Sequence, residues 1–233
     1  MILGSMQPYF FPYLGYFDLI NYKDNWIIFD TAQYIYNGWI NRNRVLHPQE
    51  GWIYVIVPLK KHTHDIAIKD VLIDNDQDWK SSILGKLTHY RRKAPFYKET
   101  YILVEECLSI AEESISCLNG RILEIVCRKL QIPFNFSYYS EMNLKLSAIA
   151  GPGDWALRIC QVLGYSEYAN PSGGAALYDA EKFNRDGIKL TIRNLPPLEY
   201  LCDGYNFIPN LSIIDLLMWN PPEKIKQHLD SHR

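Results

Sequence analysis

The sequence predicts an α/β fold in which a mixed, partly parallel β-sheet is flanked by helices, with a helical segment in the middle of the chain. In the second half, short apolar strand patterns alternate with helix patterns, which is typical of parallel strands joined by helices. In the first half, two neighbouring stretches alternate apolar and polar residues, which indicates an antiparallel pair. Ligands of such sheets bind at the carboxyl ends of the strands, so residues that follow a strand are the first candidates for a site.

The first third of the chain predicts four strands and one short helix. Apolar runs indicate the first two strands, and alternation indicates the antiparallel pair. The loop after the first strand contains Pro8 and Pro12, which restrict its shape. In chain order, the predicted elements are the strand Ile2–Met6, the helix Leu14–Tyr22, the strand Trp26–Asp30, and the strands Trp52–Val57 and Ile66–Ile73.

The middle of the chain predicts helices, because apolar residues recur there at spacings of three and four with glutamates between them. The predicted segments are a helix over Trp79–Tyr90, a helix from Tyr101 to Leu118, a break at Asn119-Gly120 and a helix over Ile122–Leu130. We interpret residues 1–233 as a single α/β domain with a mainly helical insertion at about 79–131.

The last part of the chain returns to alternating strands and helices. Gly164 stands directly after an apolar-periodic helix, at the position where a left-handed residue often ends a helix. The predicted elements are the strand Phe134–Tyr138, the helix Asp154–Leu163, the strand Ser166–Asn170, the helix Tyr178–Phe183 and the strand Ile188–Ile192.

Composition excludes several classes of protein. The chain has 48% hydrophobic residues, which suffices for a folded core, and its net charge of −2 offers no general positive field for nucleic acid. We therefore expect no DNA partner. Binding of a charged tRNA as an aminoacyl donor is disfavoured for the same reason, although the basic strip His89–Lys93 keeps it open.

Cysteine usage and the N-terminus indicate a cytoplasmic protein. The five cysteines are an odd number without a C-x-x-C pair, which argues against a disulfide framework. The chain shows no signal-peptide pattern and no apolar run near the roughly 20 residues of a transmembrane helix. His62 and His64 lack a third ligand at metal spacing, so we predict no metal site and no cofactor.

The densest polar stretch runs from Asp30 to Arg44. Arginine side chains bind phosphate or carboxylate through two N–H groups, while asparagine and glutamine bind sugar hydroxyls or base edges. Asp30 is the candidate general base, because its carboxylate can accept a proton and it stands at the end of a predicted strand. The candidate binding residues are Gln33, Asn41, Arg42, Asn43 and Arg44. The alternative interpretation is structural: Asn41 and Asn43 cap turns, and Arg42 and Arg44 are solvated or form structural ion pairs.

Two further loops carry candidate binding residues. In the loop that follows the first strand, Gln7 and Tyr9 could line a stacking wall for a sugar or base, or the loop could plug the sheet edge. In the loop after the strand Ser166–Asn170, Asn170, Gly173 and Gly174 could bind an anion through backbone amides, or form a tight turn that needs glycine. No known nucleotide-binding fingerprint is present.

Four ordered blocks resemble the WbqC-like family. They are Met6-Gln7-Pro8-Tyr9-Phe10-Phe11-Pro12-Tyr13-Leu14-Gly15-Tyr16-Phe17; Asp30-x-x-Gln33-Tyr34 with Trp39-Ile40-Asn41-Arg42-Asn43-Arg44; Asn170-Pro171-x-Gly173-Gly174-x-x-Leu177-Tyr178-Asp179; and Phe207-Ile208-Pro209-Asn210-Leu211-Ser212-Ile213-Ile214-Asp215. Because the blocks keep their order over nearly the whole chain, the chain as a whole is similar to this family.

The resemblance implies a setting for the function. The family is associated with bacterial O-antigen and surface polysaccharide biosynthesis, alongside enzymes that make nucleotide-linked amino-sugars. It implies a transferase that modifies such a sugar, with N-acyl or aminoacyl transfer as one form, and a nucleotide-linked sugar and a small acyl or aminoacyl donor as partners. The alternative is a non-catalytic module that binds a sugar or nucleotide-sugar and scaffolds glycan assembly.

Overall fold

The computed structural model describes residues 1–233 and contains seven strands and eight α-helices. The strands are β1 (Ile2–Met6), β2 (Asn25–Ile28), β3 (Arg42–Leu46), β4 (Trp52–Ile56), β5 (Phe136–Tyr138), β6 (Glu167–Pro171) and β7 (Lys189–Arg193). The helices are α1 (Leu14–Tyr22), α2 (Trp79–Leu87), α3 (Tyr97–Ser109), α4 (Ile115–Lys129), α5 (Asp154–Leu163), α6 (Ala180–Arg185), α7 (Ile213–Trp219) and α8 (Pro222–Asp230). The predicted α/β class is confirmed.

A five-stranded sheet forms the centre of the molecule, with the strand order β5-β2-β1-β6-β7 and parallel pairing throughout. From β1 the chain runs through α1 to β2 on one side, and from β6 it runs through α6 to β7 on the other side. The connections from β1 and β6 therefore leave in opposite directions. This is a topological switch point, where a crevice opens at the carboxyl ends of the strands.

The antiparallel pair is a separate small sheet of β3 and β4. Parallel and antiparallel pairing are both present, as predicted, but they occupy two sheets. The partner predicted for β4 is wrong: residues 66–73 contain a short 3₁₀ turn at Ile68–Asp70, and β4 pairs instead with the polar strand β3. The sequence did not predict strand β3, because its inward-facing residue Asn43 is polar and is flanked by two arginines, so the strand lacks apolar alternation.

The helical break in the middle of the chain also differs from the prediction. Helix α3 ends at Ser109, residues 110–114 form the break, and the Ser114 side chain caps the start of α4. The predicted break, Asn119-Gly120, lies inside α4. Asn119 is fully buried and donates hydrogen bonds to the carbonyls of Pro8 and Ile40, both at 2.8 Å. These tertiary contacts outweigh the weak helix propensity of an Asn-Gly pair.

Apolar side chains cover both faces of the parallel sheet. The larger core joins the sheet to α1, α3, α4 and α7, and the smaller one packs Leu3, Ile27 and Tyr168 against α5 and α6. Helix α5 ends at Gly164 in the left-handed conformation (φ +74), as the sequence predicts. No helix combines the length and apolar character that crossing a bilayer requires.

Candidate functional site

Two adjoining cavities open at the carboxyl edge of the parallel sheet, at the switch point between β1 and β6. Their volumes are ≈ 440 Å³ and ≈ 780 Å³. They share a wall that consists of Tyr9, Tyr13, Trp39, Pro171 and Gly173. Each is within the size range of small-molecule sites. The shared wall means that two bound groups would meet beside these aromatic rings.

The smaller cavity, which we call the cationic cavity, is lined by three charged residues: Asp18, Arg44 and Arg193. Arg193 Nε and Nη2 each donate to the Asp18 carboxylate at 2.7 Å, a paired geometry that fixes both side chains. Hydrogen bonding to Asp18 raises the pKa of Arg193. Because this pair neutralises itself, Arg44 supplies the net positive charge of the cavity.

Arg44 is held between two indole rings. Its guanidinium carbon lies 5.1 Å from the ring centroid of Trp39 and 5.1 Å from that of Trp52. One terminal nitrogen donates to the Asn210 carbonyl at 3.5 Å, while the buried Nε has no hydrogen-bond partner. No carboxylate lies within ion-pair distance of Arg44. A positioned cation without an anionic partner is suited to bind phosphate or carboxylate.

Strand β3 carries Arg44 and is fixed from two sides. Asn43 Nδ2 donates to the carbonyls of Phe10 and Phe11, both at 3.0 Å, which ties β3 to the loop after β1. At the end of the strand, the Leu46 amide donates to the buried carboxylate of Asp215 at 3.4 Å. Asp215 also accepts from the hydroxyl of Tyr200 at 2.6 Å, and Tyr200 lines the cationic cavity. Burial raises the pKa of Asp215.

The larger cavity has no charged residue in its lining, and we call it the uncharged cavity. Its walls come from the end of β1, from residues 149–152, from α5 and from residues 170–178. The apolar members include Met6, Phe29, Trp155, Ile159 and Leu177. Residues 149–152 are held by Asp154, which accepts a hydrogen bond from the Ala150 amide and pairs with Lys182.

Asn170 lines the uncharged cavity and is buried within a hydrogen-bonded cluster. Its Nδ2 donates to the hydroxyls of Tyr168 and Tyr178, both at 3.0 Å. Tyr168 donates onward to the Ser5 carbonyl at 3.1 Å. Burial raises the pKa of both tyrosines above the ordinary value of 10.0, so these hydroxyls keep their protons. A Cβ at Gly174 would collide with Asn170 Oδ1, which explains a small residue there.

Seven of the residues predicted for the site line the two cavities: Gln7, Tyr9, Asn43, Arg44, Asn170, Gly173 and Gly174. The first and third sequence blocks therefore meet in one crevice, together with part of the second. Asn43 contributes to the wall, but its amide is engaged with backbone carbonyls. Arg44 is the predicted residue whose charge faces a cavity.

Four predicted residues lie outside both cavities. Asn41 accepts a hydrogen bond from the Tyr34 hydroxyl and donates one to the Val57 carbonyl, and the Gln33 amide donates to the His64 carbonyl. Arg42 donates to the carbonyls of Asn37 and Gly38 and stacks 4.1 Å over the Tyr54 ring.

Asp30 is also outside the cavities. It is 2% exposed, and its oxygens accept hydrogen bonds from the Ser140 amide at 3.0 Å and the Ser140 hydroxyl at 2.6 Å. Both oxygens of this carboxylate are therefore engaged within the protein, away from either cavity. The general-base role of Asp30 stays a prediction.

Sequence reasoning missed Asp18, Arg193 and Asn194, which line the cationic cavity. A signal existed for the last two, since Arg193 and Asn194 follow the predicted strand Ile188–Ile192 and stand at a carboxyl end. Asp18 gave no signal, because it lies within an apolar helix and only the fold brings it beside Arg193.

Catalysis by a cysteine is not supported by the geometry. All five cysteines are free thiols and none lines either cavity. Burial raises the pKa of Cys160 and of Cys202 to about 12, so neither is a thiolate at neutral pH.

Fold and site together define an α/β protein with two adjoining cavities at the switch point of a parallel sheet. Within that class, the chain belongs to the WbqC-like protein family, whose model matches residues 7–227. A relative is the protein Rv1507c of Mycobacterium tuberculosis (strain ATCC 25618 / H37Rv), described as uncharacterized, which is 30% identical over 225 residues and 92% of each chain. No solved structure matches the chain.

Proposed function

We propose that this protein is a transferase that modifies a nucleotide-linked amino-sugar in O-antigen or surface polysaccharide biosynthesis, by acyl or aminoacyl transfer. One observation carries the proposal: Arg44 presents an unpaired positive charge to a cavity with aromatic walls at the switch point of the sheet. The setting in polysaccharide biosynthesis is what the resemblance to the family implies.

The cationic cavity has the chemistry that a sugar nucleotide requires. Arg44 binds the diphosphate, since an arginine fork matches two phosphate oxygens. Tyr13, Trp39 and Phe207 offer flat apolar faces for a base or a sugar ring. Asn194 and Asn210 offer amide groups to hydroxyls.

The lining of the cavities favours an amine over a hydroxyl as the attacking group. A hydroxyl needs a base during attack, whereas a neutral amine is already nucleophilic. The only carboxylate or imidazole in either lining is Asp18, and it is paired with Arg193. This supports an amino-sugar acceptor.

The proposal is tested by turnover. Purified protein is incubated with nucleoside diphosphate sugars that carry a 3-amino or 4-amino group, together with acyl thioesters or aminoacyl donors, and products are read by mass spectrometry. We expect an acylated sugar from one amino-sugar and none from its hydroxyl counterpart. Binding of the sugar nucleotide without turnover by any donor would favour the non-catalytic scaffold.

The role of Asp30 is tested in the same assay with Asp30→Asn. Loss of turnover with an unchanged dissociation constant for the sugar nucleotide would support the base. Full turnover would remove that role, and the contacts with Ser140 would then be purely structural.

A further inference from the structure

The uncharged cavity differs from its neighbour in chemistry as well as in size. Its lining contains no Asp, Glu, Lys, Arg or His, whereas the cationic cavity next to it contains two arginines. Transfer of a charged group into a site without a compensating charge is strongly unfavourable. The uncharged cavity therefore selects a ligand group without charge, and its apolar walls favour hydrocarbon over polar groups.

We propose that the uncharged cavity binds the acyl group of the donor, as an uncharged and mainly apolar chain that enters as a thioester or ester. This inference rests on the proposed function and deepens it, because it assigns the two reactants to two cavities. With ≈ 780 Å³, the cavity is larger than the one assigned to the sugar nucleotide. That volume leaves room for a chain longer than an acetyl group.

The shared wall places the two reactants side by side. The amino-sugar in the cationic cavity and the acyl carbonyl in the uncharged cavity meet at Tyr9, Trp39 and Gly173. The amine nitrogen forms the new C–N bond to the carbonyl carbon, and the C–S or C–O bond to the carrier breaks. The proton lost by the amine ends on the departing thiol or alcohol, so the step needs no further reactant.

Asn170 lines the uncharged cavity directly before Pro171 of the shared wall, and in this proposal it orients the nitrogen of the step. Both hydrogens of its Nδ2 are engaged by the hydroxyls of Tyr168 and Tyr178. Because the one proton of the Tyr168 hydroxyl is donated to the Ser5 carbonyl, the proton between the two tyrosine hydroxyls comes from Tyr178. Every donor of the cluster is therefore used. Asn170 Oδ1 accepts no hydrogen bond from the protein, so it is a free acceptor for an N–H group. Asn170 is in this account a positioning residue.

The test compares three probes that share one chain and differ in charge: octanamide, octanoate and octylammonium. Binding is read as the rise in melting temperature. At about ten times its dissociation constant, octanamide should raise Tm by about 3 to 6 °C, and the two charged probes should raise it less. Equal shifts for all three probes, or no shift with octanamide, would overturn the assignment.

One exposed leucine, Leu177, and one exposed valine, Val162, provide a matched pair of variants. Leu177→Asp adds a carboxylate to the lining, while Val162→Asp adds one on α5 outside it, and the native side chains are 56% and 50% exposed. The octanamide shift should vanish in the first variant and persist in the second. An octanamide shift that persists in both variants would show that octanamide binds outside the uncharged cavity. Gly151→Trp, at a lining position with open space around its Cβ, gives a second blocking variant if Leu177→Asp does not fold.

Binding of nucleotide-linked sugars to the wild type and to Arg44→Gln, measured beside the octanamide shift, separates this inference from the proposed function. Octanamide binding without binding of any nucleotide-linked sugar would support the assignment of the uncharged cavity and would rule out a sugar nucleotide as the ligand of the cationic cavity. Sugar-nucleotide binding that depends on Arg44, without an octanamide shift, would remove the apolar acyl group and leave the proposed function standing.

Discussion

Replacing Arg44 with glutamine removes the charge of the cationic cavity while leaving a polar side chain on β3. Arg42, two residues earlier on the same strand, is the matched control because it lies outside both cavities and donates to backbone carbonyls. From the sequence alone, the two arginines were equal candidates for the phosphate ligand. The pair of variants Arg44→Gln and Arg42→Gln therefore tests what the structure adds.

The expected magnitudes follow from the contacts. A hydrogen bond to a charged group contributes about 1.5–3 kcal/mol, so losing the phosphate contact of Arg44 should raise the dissociation constant of a sugar nucleotide about 10- to 150-fold. The Arg44→Gln variant also loses the cation–π contacts with Trp39 and Trp52, each of which contributes about 0.5–1 kcal/mol to the stability of the fold. A decrease in Tm of about 2–8 °C should accompany the loss of binding.

Isothermal titration calorimetry at 25 °C, well below the melting transition, measures the dissociation constants of both variants and of the wild type. Arg42→Gln should bind within about threefold of the wild type, although it too loses a stacking contact, with Tyr54. Equal weakening in both variants would show that the loss of charge acts through the general field of the protein. Wild-type affinity in Arg44→Gln would remove Arg44 from the site.

Two further predictions concern the architecture of the uncharged cavity. Gly174→Ala should lower the free energy of unfolding by about 1–3 kcal/mol, because the added Cβ would collide with Asn170 Oδ1. In the control Gly173→Ala, the added Cβ meets nothing within 4 Å, so its unfolding free energy should stay within about 1 kcal/mol of the wild type. Urea unfolding measures both variants, and equal effects would contradict this packing. Hydrogen bonding to Lys182 lowers the pKa of Asp154 below 3.8, so Asp154 stabilises the folded state above that pH and loses this effect as the pH falls through the lowered value. The wild type should therefore exceed Asp154→Asn in unfolding free energy at pH 6, by a margin that shrinks in acid, and a margin independent of pH would contradict it.

The elements that the sequence predicted well are those whose burial pattern is local. Strand β1, helix α1 and helix α5 match their predicted bounds, because each presents a regular apolar pattern within its own residues. The strand-end argument selected Asp30 and Asn170 as residues of one crevice. Asn170 lines the uncharged cavity, whereas Asp30 lies outside both cavities and is engaged by Ser140.

The misassigned elements are those whose pattern is completed by distant residues. Asn43 reads as a polar loop residue, but it is buried because the carbonyls of Phe10 and Phe11 accept its hydrogen bonds. Asn119 reads as a helix break, but the carbonyls of Pro8 and Ile40 stabilise it inside α4. In both cases the partner that makes burial favourable lies more than 30 residues away.

The sequence by itself determined the α/β class, most of the strands and helices, and the segments from which the site is built. Only the tertiary structure decided which side chains of those segments face a ligand. Arg42 and Arg44 are chemically identical and share one strand, yet Arg42 is engaged by backbone carbonyls and Arg44 faces the cationic cavity. The physical reason is that the free energy of a polar side chain depends on its partners, and partners remote in sequence are set by the packing of the whole chain.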